Sequence, residues 1–423
     1  MAGTATPSTR RVLAASLIGT SIEFYDFYVY TTAAALVFGE LFFPQASPAA
    51  QQLLAFATIG VAFVARPLGS LFFGHFGDRI GRKSTLVASL LTMGISTTLV
   101  AVLPTYIQAG WIAALLLCVL RFGQGFGLGG EWGGAALLAV ENAPPGMRAR
   151  FGMFPQLGAP VGFIAANGLF LVLGALLTKN QFHDWGWRIP FALSAALVIV
   201  GLWIRLRLTE TPEFAAALEE APPPTVPFGE LVSRHPGPLA VGTVGAIACF
   251  ALYYVATAFA LGYGTKTLGY SMTDFLGVQL GAILFMAAGI YVSAWMSDRH
   301  YDERRVLMGG CVGTILAGLL MAPMMTSGSL LQVFLFLALS LTLMGFVYGP
   351  LGAWLPSLFP PRVRYTGVSM AFNVAGVLGG GLTPLVASKL AAQYGLMAVG
   401  LYSGGAALIS LVALASYGKA RTA

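Results

Sequence analysis

A chain of 423 residues is long enough for two or three soluble domains, but its composition excludes them. Only 9% of the residues are charged and 57% are hydrophobic, where a soluble chain carries roughly 25% charge. With a mean hydropathy of +0.79, most of the surface belongs in lipid.

The net charge of +7 does not point to nucleic acid, because the basic residues come in small groups between apolar stretches rather than on one polar face. Three scattered cysteines (Cys118, Cys249, Cys311) and four histidines (His75, His183, His235, His300) lack ligand spacing. A disulfide framework or a metal site is therefore not expected, and nothing in the pattern asks for a cofactor.

Apolar runs of the roughly 20 residues that a bilayer requires predict twelve spans. In chain order they are 12–38, 52–76, 84–103, 111–138, 152–177, 187–204, 240–265, 275–296, 306–326, 330–354, 366–390 and 396–417. An even number returns both chain ends to one side. Of the 23 Lys and Arg, seventeen fall at the termini and in the even-numbered turns. Four (Lys179, Arg188, Lys266, Lys389) fall in the odd-numbered turns, and two (Arg66, Arg121) lie inside spans. Cytoplasmic loops collect positive charge, so both termini are expected in the cytoplasm. Ser8-Thr9-Arg10-Arg11 ahead of an apolar run imitates a twin-arginine export signal. Glu23 and Asp26 interrupt that run, and no cleavage site follows at the usual distance, so the run is read as a span.

The chain repeats itself. Gly74-x3-Asp78-Arg79-x2-Arg82-Lys83 after span 2 returns 220 residues later as Asp298-Arg299-x4-Arg304-Arg305 after span 8. Pro144-Pro145-x2-Arg148-x-Arg150 after span 4 returns as Pro360-Pro361-Arg362-x-Arg364 after span 10, at an offset near 214. These echoes predict an all-α integral membrane protein of two pseudo-symmetric six-helix halves. Residues 1–11 precede a bundle at 12–204, and a second bundle occupies 239–417 before a tail at 418–423. Between the bundles runs a polar connector, 205–238, with Glu210, Glu213, Glu219, Glu220 and the run Pro222-Pro223-Pro224. Duplicated halves around a midplane site are a transporter plan.

Charges inside spans are costly and mark functional candidates. In span 1, Glu23 and Asp26 lie three residues apart on one helical face, which Tyr30 continues. Glu23 is about 18 Å up the helix from Arg11, near mid-bilayer, and Arg121 of span 4 reaches a similar depth. Arg66 lies midway along span 2. Two carboxylates and two guanidiniums at one depth are read either as a static ion-pair network or as a site in which a carboxylate exchanges its arginine for a proton.

Span 4 continues through Gly125-Phe126-Gly127-Leu128-Gly129-Gly130-Glu131. The pattern matches a dinucleotide fingerprint, but no strand or βαβ unit surrounds it. Glycines four apart (Gly125/Gly129, Gly130/Gly134) instead let helices approach closely. Glu131, further inward, is expected to be a gate carboxylate bonded to an arginine of a cytoplasmic loop, with a third proton site as the alternative. In the turn after span 2, Gly74, Gly77 and Gly81 permit a tight bend from which Asp78 can latch a neighbouring helix end. Gln124, Gln156, Asn167, Tyr253, Tyr254, Gln279, Tyr348 and Asn373 are polar candidates for lining a cavity.

Gly74-His75-Phe76-Gly77-Asp78-Arg79-Ile80-Gly81-Arg82-Lys83 resembles the signature loop of the major facilitator superfamily, and Leu117-x3-Arg121-x2-Gln124-Gly125-x-Gly127 resembles its span-4 motif. Within it the chain is similar to the metabolite:proton symporter family. The matching stretches are Glu23–Tyr30, Arg66-Pro67-Leu68-Gly69, Gly129-Gly130-Glu131-Trp132-Gly133, Trp187-Arg188-Ile189-Pro190-Phe191, Glu210-Thr211-Pro212-Glu213-Phe214 and Val363-Arg364-Tyr365-Thr366-Gly367. The resemblance implies a rocker-switch transporter whose central cavity is lined mainly by spans 1, 4, 7 and 10. It makes Arg121 a proton-coupling residue and Asp78, Arg79 and Arg82 a conformational latch. Asp298 and Arg299 would be its counterpart, in a loop that lacks the glycines. Gly158-Ala159-Pro160-Val161-Gly162 resembles a motif of exchangers, and no long C-terminal coiled coil of the osmosensing kind is expected.

These readings converge on a proton-coupled symporter of the bacterial inner membrane. It would work as a monomer and import a small organic solute, a carboxylate by preference, by alternating access. Glu23, Asp26 and Arg121 would couple protons. Arg66, Arg121, Tyr30, Gln124, Gln156, Tyr253, Tyr254 and Asn373 would bind substrate. Asp78, Arg79, Arg82, Glu131, Asp298 and Arg299 would gate the cytoplasmic side. Proton/solute exchange in efflux and uptake of a zwitterion such as proline or betaine stay open. An enzyme is not expected, since no nucleophile–base pair occurs in the spans.

Overall fold

The computed structural model describes residues 7–206 and 227–417, and among these it is helical throughout, without a strand. The Glu210–Phe214 stretch, Glu219, Glu220, the run Pro222-Pro223-Pro224 and both chain ends lie outside the described residues, as do the side chains of Arg10, Arg11 and Arg82.

The membrane helices in the first half are α1 (Val12–Phe42), α2 (Pro48–Arg79), α3 (Lys83–Val100), α4 (Trp111–Glu141), α5 (Arg148–Leu176) and α6 (Arg188–Leu206). The second half opens with α7 (Pro236–Lys266) and α8 (Met272–Arg299). It continues with α9 (Glu303–Gly318, resumed as Met321–Met325). Then come α10 (Leu330–Ser357), α11 (Pro361–Tyr394) and α12 (Leu396–Ser416). Eleven are long and apolar enough to cross a bilayer unbroken. Predicted span 9 is the exception. Pro323 cannot donate to the carbonyl of Leu319 and its ring crowds that carbonyl, so the helix breaks there. The connector is shorter than expected at both ends. Arg205 is still inside α6, Pro227–Arg234 forms a short helix, and α7 begins at Pro236.

In the first half α1 lies along α5, α4 along α2 and α3, and α3 along α6; in the second, α8 lies along α10, α9 along α12 and α7 along α11. The halves meet where α2 packs on α11 and α5 on α8, pairs that the internal repeat interchanges. The span-4 glycines serve packing. A Cβ on Gly125 would stand 2.2 Å from the Ala62 carbonyl oxygen, and one on Gly129 would stand 2.1 Å from that of Arg66. Only hydrogen fits there. The side turned outward carries Val64, Leu68, Phe72, Val119, Phe122, Ile199 and Trp203, an apolar belt suited to lipid.

The helices that open the two halves share an irregularity. α1 widens into a π-turn at Ala34–Phe38 and α7 at Val255–Phe259, the same separation as the loop repeat to within a residue. Such turns shift the hydrogen-bond ladder and concentrate at functional sites. Below, the terminal face is the one bearing Pro7 and Tyr417, and the distal face is its opposite.

Candidate functional site

Between the halves lies a cavity of about 30 Å³, room for little more than a water molecule. Phe24, Phe27 and Tyr28 of α1 face it, with Arg66 of α2 and Ala159 of α5. The second half contributes Cys249, Phe250, Tyr253 and Tyr254 of α7, Met344 and Tyr348 of α10 and Phe372 of α11. Arg66 is the one charged residue in this lining. An organic solute enters only if the halves part.

Helix geometry explains why the predicted carboxylates are not in the cavity. Residues of α1 advance about 100° each, so Phe24, Phe27 and Tyr28 face the second half while Glu23, Asp26 and Tyr30 turn into the first. There Asp26 Oδ1 accepts from Ser194 Oγ of α6 at 2.6 Å. Gln124 Nε2 donates to the Asp26 carbonyl at 2.9 Å and to Thr97 Oγ1 at 2.8 Å. Gln124 Oε1 in turn accepts from Arg121 Nη1.

The expected network of two carboxylates neutralising two guanidiniums does not form. No ion pair joins Glu23 or Asp26 to Arg66 or Arg121 among the described residues. Instead the Arg121 guanidinium lies 4.3 Å from the Phe27 ring centroid and 3.9 Å from that of Tyr30, and Arg66 lies 5.4 Å from Phe27 and 5.0 Å from Phe63. Phe27 thus stands within cation–π range of both cations. Both Glu23 oxygens, Asp26 Oδ2, Arg66 Nε, and Nε and Nη2 of Arg121 are buried without a hydrogen-bond partner.

Of the residues expected to bind substrate, Arg66, Tyr253 and Tyr254 line the cavity, and Arg121, Tyr30, Gln124, Gln156 and Asn373 do not. The amides of Gln124, Gln156 and Asn373 tie helices together instead, while the Tyr30 hydroxyl has no partner. Gln156 accepts from Trp132 Nε1 and donates to the Tyr348 carbonyl, both at 2.7 Å. Asn373 Nδ2 reaches Ser70 Oγ at 2.8 Å and the Gly129 carbonyl at 2.9 Å. α4 lends the cavity no side chain, contrary to the expected lining by spans 1, 4, 7 and 10, while α2, α5 and α11 do.

Glu131 is fully buried and paired with Arg205. Arg205 lies within α6, in the same half, rather than in a loop. The pair braces the first half and does not bridge the two, so it is not a gate between them.

The terminal face is closed by two matching clamps. Asp78, in the last turn of α2, accepts from the backbone N–H groups of Tyr365 at 3.2 Å and Thr366 at 3.0 Å, and from Thr366 Oγ1 at 2.7 Å. Asp298, at the equivalent point of α8, accepts from the N–H groups of Ala149 and Arg150, each at 3.0 Å, and from Arg150 Nε at 2.8 Å. Each carboxylate thus satisfies orphan donors at the start of a helix in the other half, where the helix dipole favours negative charge. Gly74 and Gly77 lie inside α2 rather than in a bend, and a Cβ there would strike Thr366 and Tyr365; only Gly81, at φ 111°, makes the turn. Arg79 contacts His75 and Arg299 lies over Trp295, both within their own helices. Arg364 pairs with Glu141 across the halves at 3.5 Å.

Asp78→Asn and Asp298→Asn keep shape and lose charge-assisted bonds worth about 1.5–3 kcal/mol each. Each variant is expected to lower the initial transport rate at least about tenfold while equilibrium solute affinity stays within a few-fold. A large affinity loss with normal turnover would contradict the clamp.

The sequence that folds this way matches the family model of the Major Facilitator Superfamily over residues 16–384. The chain belongs to that superfamily. It is 48% identical over 411 residues to the inner membrane metabolite transport protein YhjE of Escherichia coli (strain K12), covering 96% of this chain and 93% of that one. Against the shikimate transporter of the same organism it is 38% identical over 383 residues, covering 90% and 87%. Among solved structures, the proton:xylose symporter XylE bound to 6-bromo-6-deoxy-D-glucose superimposes with a TM-score of 0.78 over 97% of this chain and 96% of that one, at 16% identity. The last is a likeness of fold. The chain is accordingly a multi-span inner-membrane transporter of metabolites and not an enzyme.

Proposed function

We propose that this transporter is a proton-coupled symporter that imports a small organic carboxylate by alternating access, as a monomer with both termini in the cytoplasm. The observation that carries the reading is the solitary Arg66 in an otherwise uncharged, aromatic cavity. A guanidinium without an ion-pair partner among the described residues suits a carboxylate, which it binds with two parallel hydrogen bonds. The membrane potential opposes anion entry by about 2.3 kcal/mol per charge per 100 mV, and an accompanying proton offsets that cost.

Glu23 is the proposed proton carrier. It is fully buried, and its two oxygens have no fixed partner. A carboxylate arriving on Arg66 cancels that cation's pull and favours protonation of Glu23. Loading and protonation are then linked. Asp26, with one oxygen held by Ser194 and one free, is a second station. Arg121 acts from behind the lining, holding α1 through the rings of Phe27 and Tyr30 and through Gln124.

A second reading, uptake of a methylated zwitterion, draws on the same cavity, since the rings around Arg66 suit a quaternary ammonium. Uptake into proteoliposomes by a panel of organic acids and betaines, with and without an inward proton gradient, separates these readings. Gradient-dependent accumulation of an acid is expected. Accumulation of betaine alone favours the zwitterion, and expulsion of solute under the gradient favours exchange.

A further inference from the structure

We infer that a second, uncharged cavity beside the Arg66 cavity is a hydrogen-bonding subsite of the transport site, and that it selects a monocarboxylate bearing a hydroxyl group at the end away from its acid. The inference rests on the proposed carboxylate reading and narrows it.

The space, about 10 Å³, lies between α1, α5, α7 and α8. Tyr28 and Tyr253 line both cavities, with their rings stacked at a centroid distance of 5.5 Å. The lining moves from Phe27 to Thr31 on α1, from Ala159 to Asn167 on α5, and from Cys249 to Thr257 on α7. On all three helices the step runs toward the distal face, and it amounts to about 6–12 Å at the rise of an α-helix. The two tyrosines are therefore a partition between an inner, charged chamber and an outer, neutral one.

The outer chamber holds an unmet donor. Asn167 is 1% exposed, its Oδ1 accepts from Thr32 Oγ1 at 2.6 Å, and its Nδ2 has no partner. With the amide so placed, its N–H groups remain to be satisfied, which is costly in a buried site unless a ligand answers. Opposite, Gln279 Nε2 donates to the carbonyls of Ala256 at 3.1 Å and Thr257 at 2.9 Å, in the π-turn of α7. No charged residue lines this chamber. A second carboxylate would be buried there without a counter-charge, and a trimethylammonium group has no acceptor to offer Asn167. A hydroxyl oxygen accepts from Asn167 Nδ2 and brings no charge. A solute whose acid sits on Arg66 and whose hydroxyl reaches Asn167 passes between the two tyrosine rings as they part.

The test is calorimetric binding to the purified full-length transporter, using matched acids that differ only in hydroxyl groups. The pairs are shikimate and cyclohex-1-ene-1-carboxylate, 4-hydroxycyclohexanecarboxylate and cyclohexanecarboxylate, and 6-hydroxyhexanoate and hexanoate, with glycine betaine alongside. For at least one pair the hydroxylated acid should bind the parent at least about tenfold more tightly, because a site built to hydrogen-bond a hydroxyl rejects the analogue lacking it. Asn167→Leu should bring that ratio to within about twofold while leaving the deoxy acid within about threefold of the parent. Thr32→Val, which frees the amide to turn, should give an intermediate ratio, and it decides the matter if Asn167→Leu does not fold. A ratio near one in the parent for every pair, or one that both variants keep, overturns the subsite and leaves the carboxylate reading standing. Binding of betaine with no acid, or of none of the probes, overturns both.

Discussion

Replacing Arg66 by Gln is expected to abolish measurable binding of a carboxylate substrate while leaving a folded protein. The residue is 3% exposed and its guanidinium rests on the rings of Phe27 and Phe63. Glutamine keeps two donors and much of the stem, so the packing survives. What disappears is the one positive charge in the cavity lining. Two charge-assisted hydrogen bonds at about 1.5–3 kcal/mol each correspond to a loss of roughly two to four decades in affinity. Arg66→Lys keeps the charge but not the planar fork, so it should retain part of the affinity and lose geometric selectivity among acids. Equilibrium binding by calorimetry, beside the melting temperature of each variant, checks this. Carboxylate affinity within threefold of the parent in Arg66→Gln would remove Arg66 from the site and leave it as a cation packed against α1. If betaine binds the parent and Arg66→Gln equally, the aromatic rings alone are the recognition surface.

The parts of this structure legible in the sequence were those written in periodicity and in charge. Apolar run lengths placed the spans, because a bilayer imposes one length on every helix. The exception, α9, broke for a local reason that Pro323 already announced. The repeat of Asp78 in Asp298 was also legible, and the carboxylates occupy matching positions although the second loop has no glycines. Arg150 supplies the extra donor that holds Asp298, so the clamp needs a helix end within reach rather than a special turn.

Depth along a helix was legible too, but direction around it was not. Glu23, Asp26 and Arg121 were grouped because they share a depth, and composition could not tell which face of α1 would meet the other half. The aromatic residues answer that. Phe24 and Tyr28, four apart, form the stripe that meets Tyr253 and Phe250, while the carboxylates fall on the flank turned to α6. Ser194 and Arg205 were missed as the partners of Asp26 and Glu131 because both lie on α6, whose sequence carries no resemblance-bearing motif at those positions. Phe27 was passed over because an aromatic inside a span is ordinarily packing. Its role between two guanidiniums depends on three helices at once, which no pattern along one chain encodes.

Glu23→Gln is expected to separate solute movement from proton movement. Glutamine fits the same space and cannot take up or release a proton, so the variant should exchange internal for external solute but fail to accumulate it under an inward proton gradient. Asp26→Asn should show the same defect more weakly, since Ser194 already occupies one of its oxygens at 2.6 Å. The linkage gives a second readout that needs no gradient. In the parent, an anion on Arg66 favours a proton on Glu23, so a proton on Glu23 must favour the anion by the same factor. Apparent affinity should therefore improve as pH falls, by up to about tenfold per pH unit for one linked proton, until the substrate itself protonates. In Glu23→Gln the dependence should vanish and the affinity should stay near the parent's low-pH value, because the neutral amide mimics the protonated acid. Arg121→Lys should leave the slope in place and weaken binding only modestly, since Arg121 is not in the cavity lining and acts on it from behind, through the Phe27 ring and through Gln124. The measurement is solute affinity from pH 5 to 8 for the parent and these variants. A flat parent profile would sink the coupling through Glu23. A slope lost in Arg121→Lys and kept in Glu23→Gln would move the coupling to Arg121 and its bond to Gln124, with Glu23 left as a buried acid of the first half.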